Sequence, residues 1–179
     1  MLQAAIDLIE SRGFAAVSVD EIAAEAGVSK ATVYRWWPNK ATLTLDAVLS
    51  IADAALPHPE TGSAYEDLRR HLRYLIRIYR GPRTGPMIAA LHAHAQHDHE
   101  LAAAVMERVQ TPRREAAKEI LRDGVERGDL RPELDLDATL DCLYGPLYYR
   151  FLITHEPMGP KYADLVLDQI WPAIVASPK

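Results

Sequence analysis

Between Val17 and Leu43 the chain reads VSVDEIAAEAGVSKATVYRWWPNKATL, and it sets helix starts and stops so close together that no long element fits there. Ser18 followed by Glu21 is a capping box: the hydroxyl accepts from the backbone N–H three residues on, while the glutamate reaches back. Ile22, Ala23 and Ala26 give the helix one apolar face, and Gly27 ends it after barely two turns. Ser29 caps a second piece over about Lys30 to Trp37, which Pro38 ends by disfavouring helical geometry in the residue before it. Asn39 caps the next helix, carrying Leu43, Ala47, Val48 and Ile51, before PHPETG breaks the chain. Isolated helices below about 12 residues are marginal in water, so these short pieces need tertiary packing. Trp37 is the expected anchor of the shortest one.

The rest of the sequence is also helical in period. Leu2, Ala5, Ile6 and Ile9 recur at helical spacing, and Arg12-Gly13 supplies a stop, which predicts a helix over 2–12. Leu68, Leu72, Leu75, Ile76 and Tyr79 form one face of a fifth helix ended by GPRTGP. A sixth runs from about Met87 to Gln96, and a seventh begins near Asp98 with Leu101, Ala102, Val105, Met106 and Val109. Thr111-Pro112 either starts an eighth helix or kinks the seventh, since proline suits a first helical turn. That segment carries Ala116, Ala117, Ile120 and Leu121 and stops at Arg127-Gly128. Two helices close the chain, about 136–153 and 160–176, separated by HEPMGP. Nothing alternates long enough to be a strand, so the expected class is all-α.

Composition bounds the function. With 179 residues, 49% apolar and 25% charged, the chain has the make-up of an ordinary globular protein. Its apolar runs are much shorter than the roughly 20 residues of a membrane span, so no membrane partner is expected. MLQAAIDLIESRGF places acids within its apolar pattern and has no basic leader, which points to a cytoplasmic protein. The helical pattern already runs at Met1, so further residues ahead of it are expected. The one cysteine, Cys142, leaves no internal disulfide or multi-thiolate metal site and is expected to be a buried, inert thiol. A net charge of -5 argues against a generally basic nucleic-acid protein, but only a docking face has to be positive.

Such a face is present. Two short helices joined by a turn containing Gly27 have the lengths of a helix-turn-helix, whose second helix enters the DNA major groove. From Ser29 to Lys40 there are three basic residues, Lys30, Arg35 and Lys40, and no acid. The run from Val17 to Leu43 resembles the DNA-binding signature of TetR-family transcriptional repressors, and the likeness extends through residues 2–50. RGDLRPELDLDATLDCLYGPLYYRFLITHEP is more loosely similar to the dimer-forming region of one branch of that family.

The resemblance implies a three-helix DNA-binding domain over residues 1–45 and a helical ligand-binding and dimerisation domain over 46–179. It also implies a repressor acting on a palindromic operator, with a DNA-binding set of Ser18, Ser29, Lys30, Ala31, Thr32, Tyr34, Arg35, Trp36 and Lys40. Ser18, Tyr34 and Lys40 match phosphate-holding positions, the last at a helix N-terminus whose dipole adds attraction. Lys30, Ala31, Thr32 and Arg35 match positions facing the groove. There, cations bond guanine and methyl groups touch thymine. Trp37 matches a core aromatic and Trp36 one at the edge of the DNA surface. Many family members also carry a basic arm before the first helix, which this sequence lacks.

The C-terminal helices carry apolar stripes on two sides. Leu140, Tyr144, Leu147 and Phe151 make one stripe, and Ala138, Cys142, Gly145 and Tyr149 a small-sided neighbour. Tyr162, Leu165, Val166, Gln169, Ile170 and Ala173 make a third. Two such helices fit a four-helix bundle shared by two copies, so a homodimer through them is expected. Tyr74, Ile78, Met87, His92, Met106, Tyr144 and Tyr148 are the candidate lining for a small-molecule effector, being apolar with a few polar tips.

LHAHAQHDHE raises the question of a metal. At helical spacing, however, His92 and His99 fall opposite His94 and His97, so no metal site is assigned. Arg69, Arg70, Arg73, Arg77 and Arg80 form an arc opposite the leucine face. The arc reads as a salt-bridged surface or as a contact for an anionic effector or DNA. No nucleophile–base pair or glycine-rich phosphate loop is present, so neither catalytic residues nor a cofactor is expected. The alternative function is a helix-turn-helix protein that senses nothing.

Overall fold

Helix caps written in the sequence set most of the architecture. The computed structural model describes residues 1–51 and 59–176. Their helices are α1 (Leu2–Arg12), α2 (Val19–Glu25), α3 (Lys30–Trp36), α4 (Lys40–Ile51), α5 (Ala64–Arg80), α6 (Thr84–Ala95), α7 (His99–Val105), α8 (Thr111–Arg127), α9 (Leu136–Tyr149) and α10 (Pro160–Ile174). The chain is all-α: the β pairing among the described residues is one antiparallel bridge, Leu130 to Val175. The PHPETG break begins at residues outside the described ones.

Two compact units result. Described residues 1–51 and 80–109 form the first, and 59–79 and 110–176 the second. In the first, α1 packs on α4, α4 on α6 and α6 on α7. Its interior is Ile6, Ile9, Ile22, Val33, Leu43, Leu45, Met87 and Leu101. Each such aliphatic side chain, once fully buried, contributes about 1.5–3 kcal/mol. In this unit α6 and α7 cluster with the N-terminal helices.

In the second unit Leu68, Leu72, Leu75 and Ile76 of α5 are buried, as are Ala117, Ile120 and Leu121 of α8 and Leu140, Leu143 and Leu147 of α9. Ala163, Val166 and Leu167 close it from α10. Gly124 allows a close approach: a Cβ there would lie 2.8 Å from both the Ala64 Cβ and a Leu130 methyl. Gly128 ends α8 in the left-handed region, φ 81°, where a side chain is strained.

Thr111-Pro112 opens α8, with Pro112 in its first turn, but no side chain caps that start. A π turn, Met106–Gln110, carries α7 into α8, and Gln110 keeps helical angles with no side-chain cap. A second π turn, Arg150–Thr154, extends α9, whose interior Pro146 has no N–H to donate.

Two expectations need correction. Cys142 is exposed on this chain, because α9 buries Thr139, Leu140, Leu143, Tyr144 and Leu147 and position 142 faces the other way. Trp37 is only half-buried and lies just beyond α3 in extended geometry, φ -132°, as Pro38 requires of the residue before it. The buried anchor of α3 is Val33, at 0% exposure.

Candidate nucleic-acid interface

Local chemistry builds the helix-turn-helix. The Ser18 hydroxyl accepts from the Glu21 N–H at 3.2 Å, and a Glu21 carboxylate oxygen accepts from the Ser18 N–H at 2.8 Å, so the capping box is complete. These bonds, the Ser18 hydroxyl donation and Arg12 hold the Glu21 carboxyl down to about 2. Arg12 reaches Glu21 at 2.7 Å and so joins the end of α1 to the start of α2.

The turn after α2 closes by Gly27 N–H to Ala24 O and Val28 N–H to Ala23 O, at 3.1 and 3.0 Å. Gly27 has φ +66° and open space around a would-be Cβ, so conformation, not crowding, selects glycine there. Ser29 then caps α3 by accepting from the Thr32 N–H at 3.1 Å.

With Val33 turned inward, the opposite side of α3 is presented to solvent. Lys30, Ala31, Tyr34 and Arg35 are exposed, Thr32 is partly so, and Trp36 is 65% exposed. Arg35 lies over the Trp36 ring at 5.9 Å and Lys30 over the Tyr34 ring at 5.8 Å. This face therefore combines cations, a hydroxyl-bearing aromatic and a methyl, a set able to contact phosphates and base edges together. Lys30 also pairs with Asp20 of α2 at 2.7 Å, which raises its pKa through the hydrogen bond and charge of that carboxylate.

The C-terminal end of α3 is fixed from α4. Trp37 Nε1 donates to Asp46 Oδ2 at 2.7 Å, and Arg108 pairs with the other Asp46 oxygen at 2.6 Å. Asn39 caps α4 by accepting from the Thr42 N–H at 2.8 Å. Lys40 is more committed than its matched position implies. Its Nζ donates to Phe14 O at 2.6 Å and Val17 O at 2.7 Å, and it lies 4.1 Å from the Phe14 ring centroid. Burial lowers its pKa, opposed by Glu21. Two of its three N–H donors thus tie down the α1–α2 loop.

The effector candidates divide between the units. Met87, His92 and Met106 lie in the first, with Met87 buried and Met106 exposed. Tyr74, Ile78, Tyr144 and Tyr148 lie in the second, all but half-buried Tyr148 fully interior. The Tyr144 hydroxyl meets His71 Nε2 at 2.6 Å, and Gln110 donates to the Tyr148 hydroxyl at 2.9 Å.

Of the histidine run, His94 packs edge-on against Phe14 at 4.5 Å, and Asp98 caps α7 rather than offering a ligand. No group of three metal-binding side chains occurs among the described residues. In the arginine arc, Arg69 and Arg70 pair with Glu66, and Arg73 with Asp164. No described helix is long and apolar enough to cross a membrane.

Asp46, His71 and Arg113 were not singled out from sequence. His71 sits between Leu68 and Leu75 on the apolar phase of α5, and Arg113 lies one turn before Ala117 on that of α8. Both phases were there to be read.

Comparison with known proteins extends these observations. Residues 1–47 match the bacterial regulatory proteins of the tetR family, and residues 58–170 match the tetracyclin repressor-like C-terminal domain. The HTH-type transcriptional regulator YdeS of Bacillus subtilis (strain 168) is 43% identical over 94% of this chain and 85% of its own. The DNA-binding transcriptional repressor TetR of Mycobacteroides abscessus is 27% identical over 95% of this chain and 89% of its own. The crystal structure of the TetR family transcription regulator SCO0332 superposes with TM-score 0.79 at 32% identity, covering 99% of this chain and 96% of that one.

Proposed function

Since the chain belongs to the TetR family of bacterial transcriptional regulators, we propose that it is a homodimeric repressor, released from a palindromic operator by a small-molecule effector. The observation that carries the DNA side of this reading is the outward face of α3. Lys30, Thr32, Tyr34, Arg35 and Trp36 project from a helix held by Val33 and Ser29, with Asp46 gripping Trp37 just beyond its end. In it Lys30, Ala31, Thr32 and Arg35 meet base edges. Ser18, Ser29, Tyr34 and the remaining donor of Lys40 meet phosphates, with Trp36 at the rim.

The dimer is proposed through α9 and α10. The small-sided stripe Ala138, Cys142, Gly145 and Tyr149 is exposed, Tyr149 at 59%, and α10 exposes Leu165 at 51% together with Gln169 and Ala173. Burying these stripes against their copies gives the two-fold assembly that places recognition helices one DNA turn apart, or a multiple of it. The domain after residue 45 then provides dimerisation and sensing, and the protein works in the cytoplasm.

Gel shifts on the DNA flanking its own gene, combined with sedimentation, test this reading. Wild type is expected to bind as a dimer. Leu165→Asp with Tyr149→Asp is expected to be monomeric and to lose operator binding, and Thr32→Ala to remain dimeric but bind more weakly. Equal binding by the monomeric variant would overturn the dimer.

A further inference from the structure

Within the second unit, α5, α8 and α9 enclose a polar cluster that the DNA-binding machinery does not use. Arg113 of α8 is only 8% exposed, no ion pair among the described residues involves it, and its Nη1 has no hydrogen-bond partner. An unpaired buried cation is costly to desolvate, and folding leaves that cost unbalanced unless something else approaches.

His71 is fully buried and its Nδ1 is likewise unpartnered. Its Nε2 faces the Tyr144 hydroxyl at 2.6 Å, the two rings stacking at 5.9 Å. Burial, aided by the Arg113 charge, lowers the His71 pKa to about 4, and burial raises that of Tyr144, so both are neutral near pH 7. In the tautomer in which Tyr144 donates its O–H to Nε2, the imidazole proton sits on Nδ1, and the open atom is a donor.

Two cationic or neutral N–H donors are therefore buried, without acceptors, in one cluster. The surroundings are aromatic. Tyr79 lies 5.4 Å from Tyr148 and stacks on Phe151 at 4.8 Å. Both π turns reach this cluster: Gln110 ends the first and bonds Tyr148, and Phe151 belongs to the second. Such turns occur frequently at functional sites.

We propose that this cluster is the effector site, and that the effector is a small apolar or aromatic molecule carrying one carboxylate, paired with Arg113 and accepting from His71 Nδ1. The inference rests on the reading that the protein answers to an effector, and it adds the ligand's chemical class. A monoanion balances the single unpaired guanidinium, which presents N–H donors suited to a carboxylate. The tyrosine and phenylalanine rings suit its apolar body.

The test uses matched acid and amide pairs on the full-length protein: benzoate and benzamide, 4-phenylbutyrate and its amide, octanoate and octanamide. Binding is followed by calorimetry and thermal melting. At least one acid is expected to bind roughly tenfold or more tighter than its own amide, as a charge-assisted pair implies. Arg113→Met should abolish that preference and Arg113→Lys should keep part of it.

Without ligand, Arg113→Met is expected to melt at or above wild type, because it removes an unbalanced buried charge. Amides binding as well as acids, no acid binding, or an Arg113→Met protein that unfolds far below wild type would each overturn the site. Gel shifts separate the two readings. Operator release by neutral molecules alone sinks the carboxylate site and leaves the repressor. An Arg113-dependent acid that never releases DNA does the reverse.

Discussion

Lys30 of α3 and Asp20 of α2 form an ion pair, 2.7 Å apart, on the side of the helix-turn-helix proposed to meet DNA. A lysine held by a carboxylate is not free to meet a base or a phosphate, so the pair has to open as DNA arrives. Asp20→Asn removes that competition and a like charge facing the phosphates. Exposed pairs contribute little to stability, so the variant is expected to keep its fold and to bind operator about two- to fivefold tighter by fluorescence anisotropy. Weaker binding would place Lys30 away from the DNA.

Lys40 has a double role. Two donors hold the carbonyls of Phe14 and Val17, and the third remains for a phosphate. Lys40→Ala is therefore expected to lower stability by about 1–3 kcal/mol in urea unfolding, through two orphaned acceptors. It is also expected to flatten the slope of log affinity against log salt by about 0.9, as the loss of one phosphate contact requires. Tyr34→Phe, which removes no charge, should weaken binding and leave that slope alone. A Lys40→Ala protein with lower stability but an unchanged slope would assign the lysine to the loop alone.

Burial of His71 makes stability depend on pH in a defined window. Unfolded histidine takes up its proton near 6.5, folded His71 only near 4, so between these values the unfolded chain binds more protons. Stability is complete above the upper value and falls with pH through the window. The histidine contribution lost between about pH 7 and about pH 5 is about 2 kcal/mol. Denaturant midpoints should shift accordingly, and His71→Gln should remove most of that slope. Glu21, held down to about 2, loses its contribution only at lower pH, as it protonates.

Gly124 separates propensity from packing. Alanine is the better helix former by about 1 kcal/mol. Its Cβ, however, would lie 2.8 Å from Ala64 and Leu130, against a short side chain and a buried leucine. Overpacking of this kind costs about 1–3 kcal/mol, so Gly124→Ala is expected to lower the melting temperature. A rise would show that α5 shifts away freely.

The legible parts of the fold were those with local causes. Ser18, Ser29 and Asn39 cap the helices they were expected to cap, and Asp98 caps the helix expected to begin near it, because a cap is decided within four residues. The π turn at Met106–Gln110 was half-legible: Pro112 announced a discontinuity, but its form depends on packing around it. Partners distant in sequence were not legible. The composition of YRWWPNK suggested that Trp37 anchors α3 by burial, whereas it is Asp46, nine residues on, that fixes the indole. The carbonyl partners of Lys40 were not legible either, because Phe14 and Val17 lie more than twenty residues back. Cys142 sits in an apolar run, yet its phase on α9, one residue from buried Leu143, decides its exposure.

Selection of binding sites from random double-stranded DNA by the full-length protein decides whether it reads a palindromic operator as a dimer. An enriched sequence with two-fold symmetry is expected, with half-site centres one helical turn or a multiple apart, one dimer per site, and altered preference when Lys30 or Thr32 is replaced. No enriched sequence, or a lone half-site bound by a monomer, would contradict that reading.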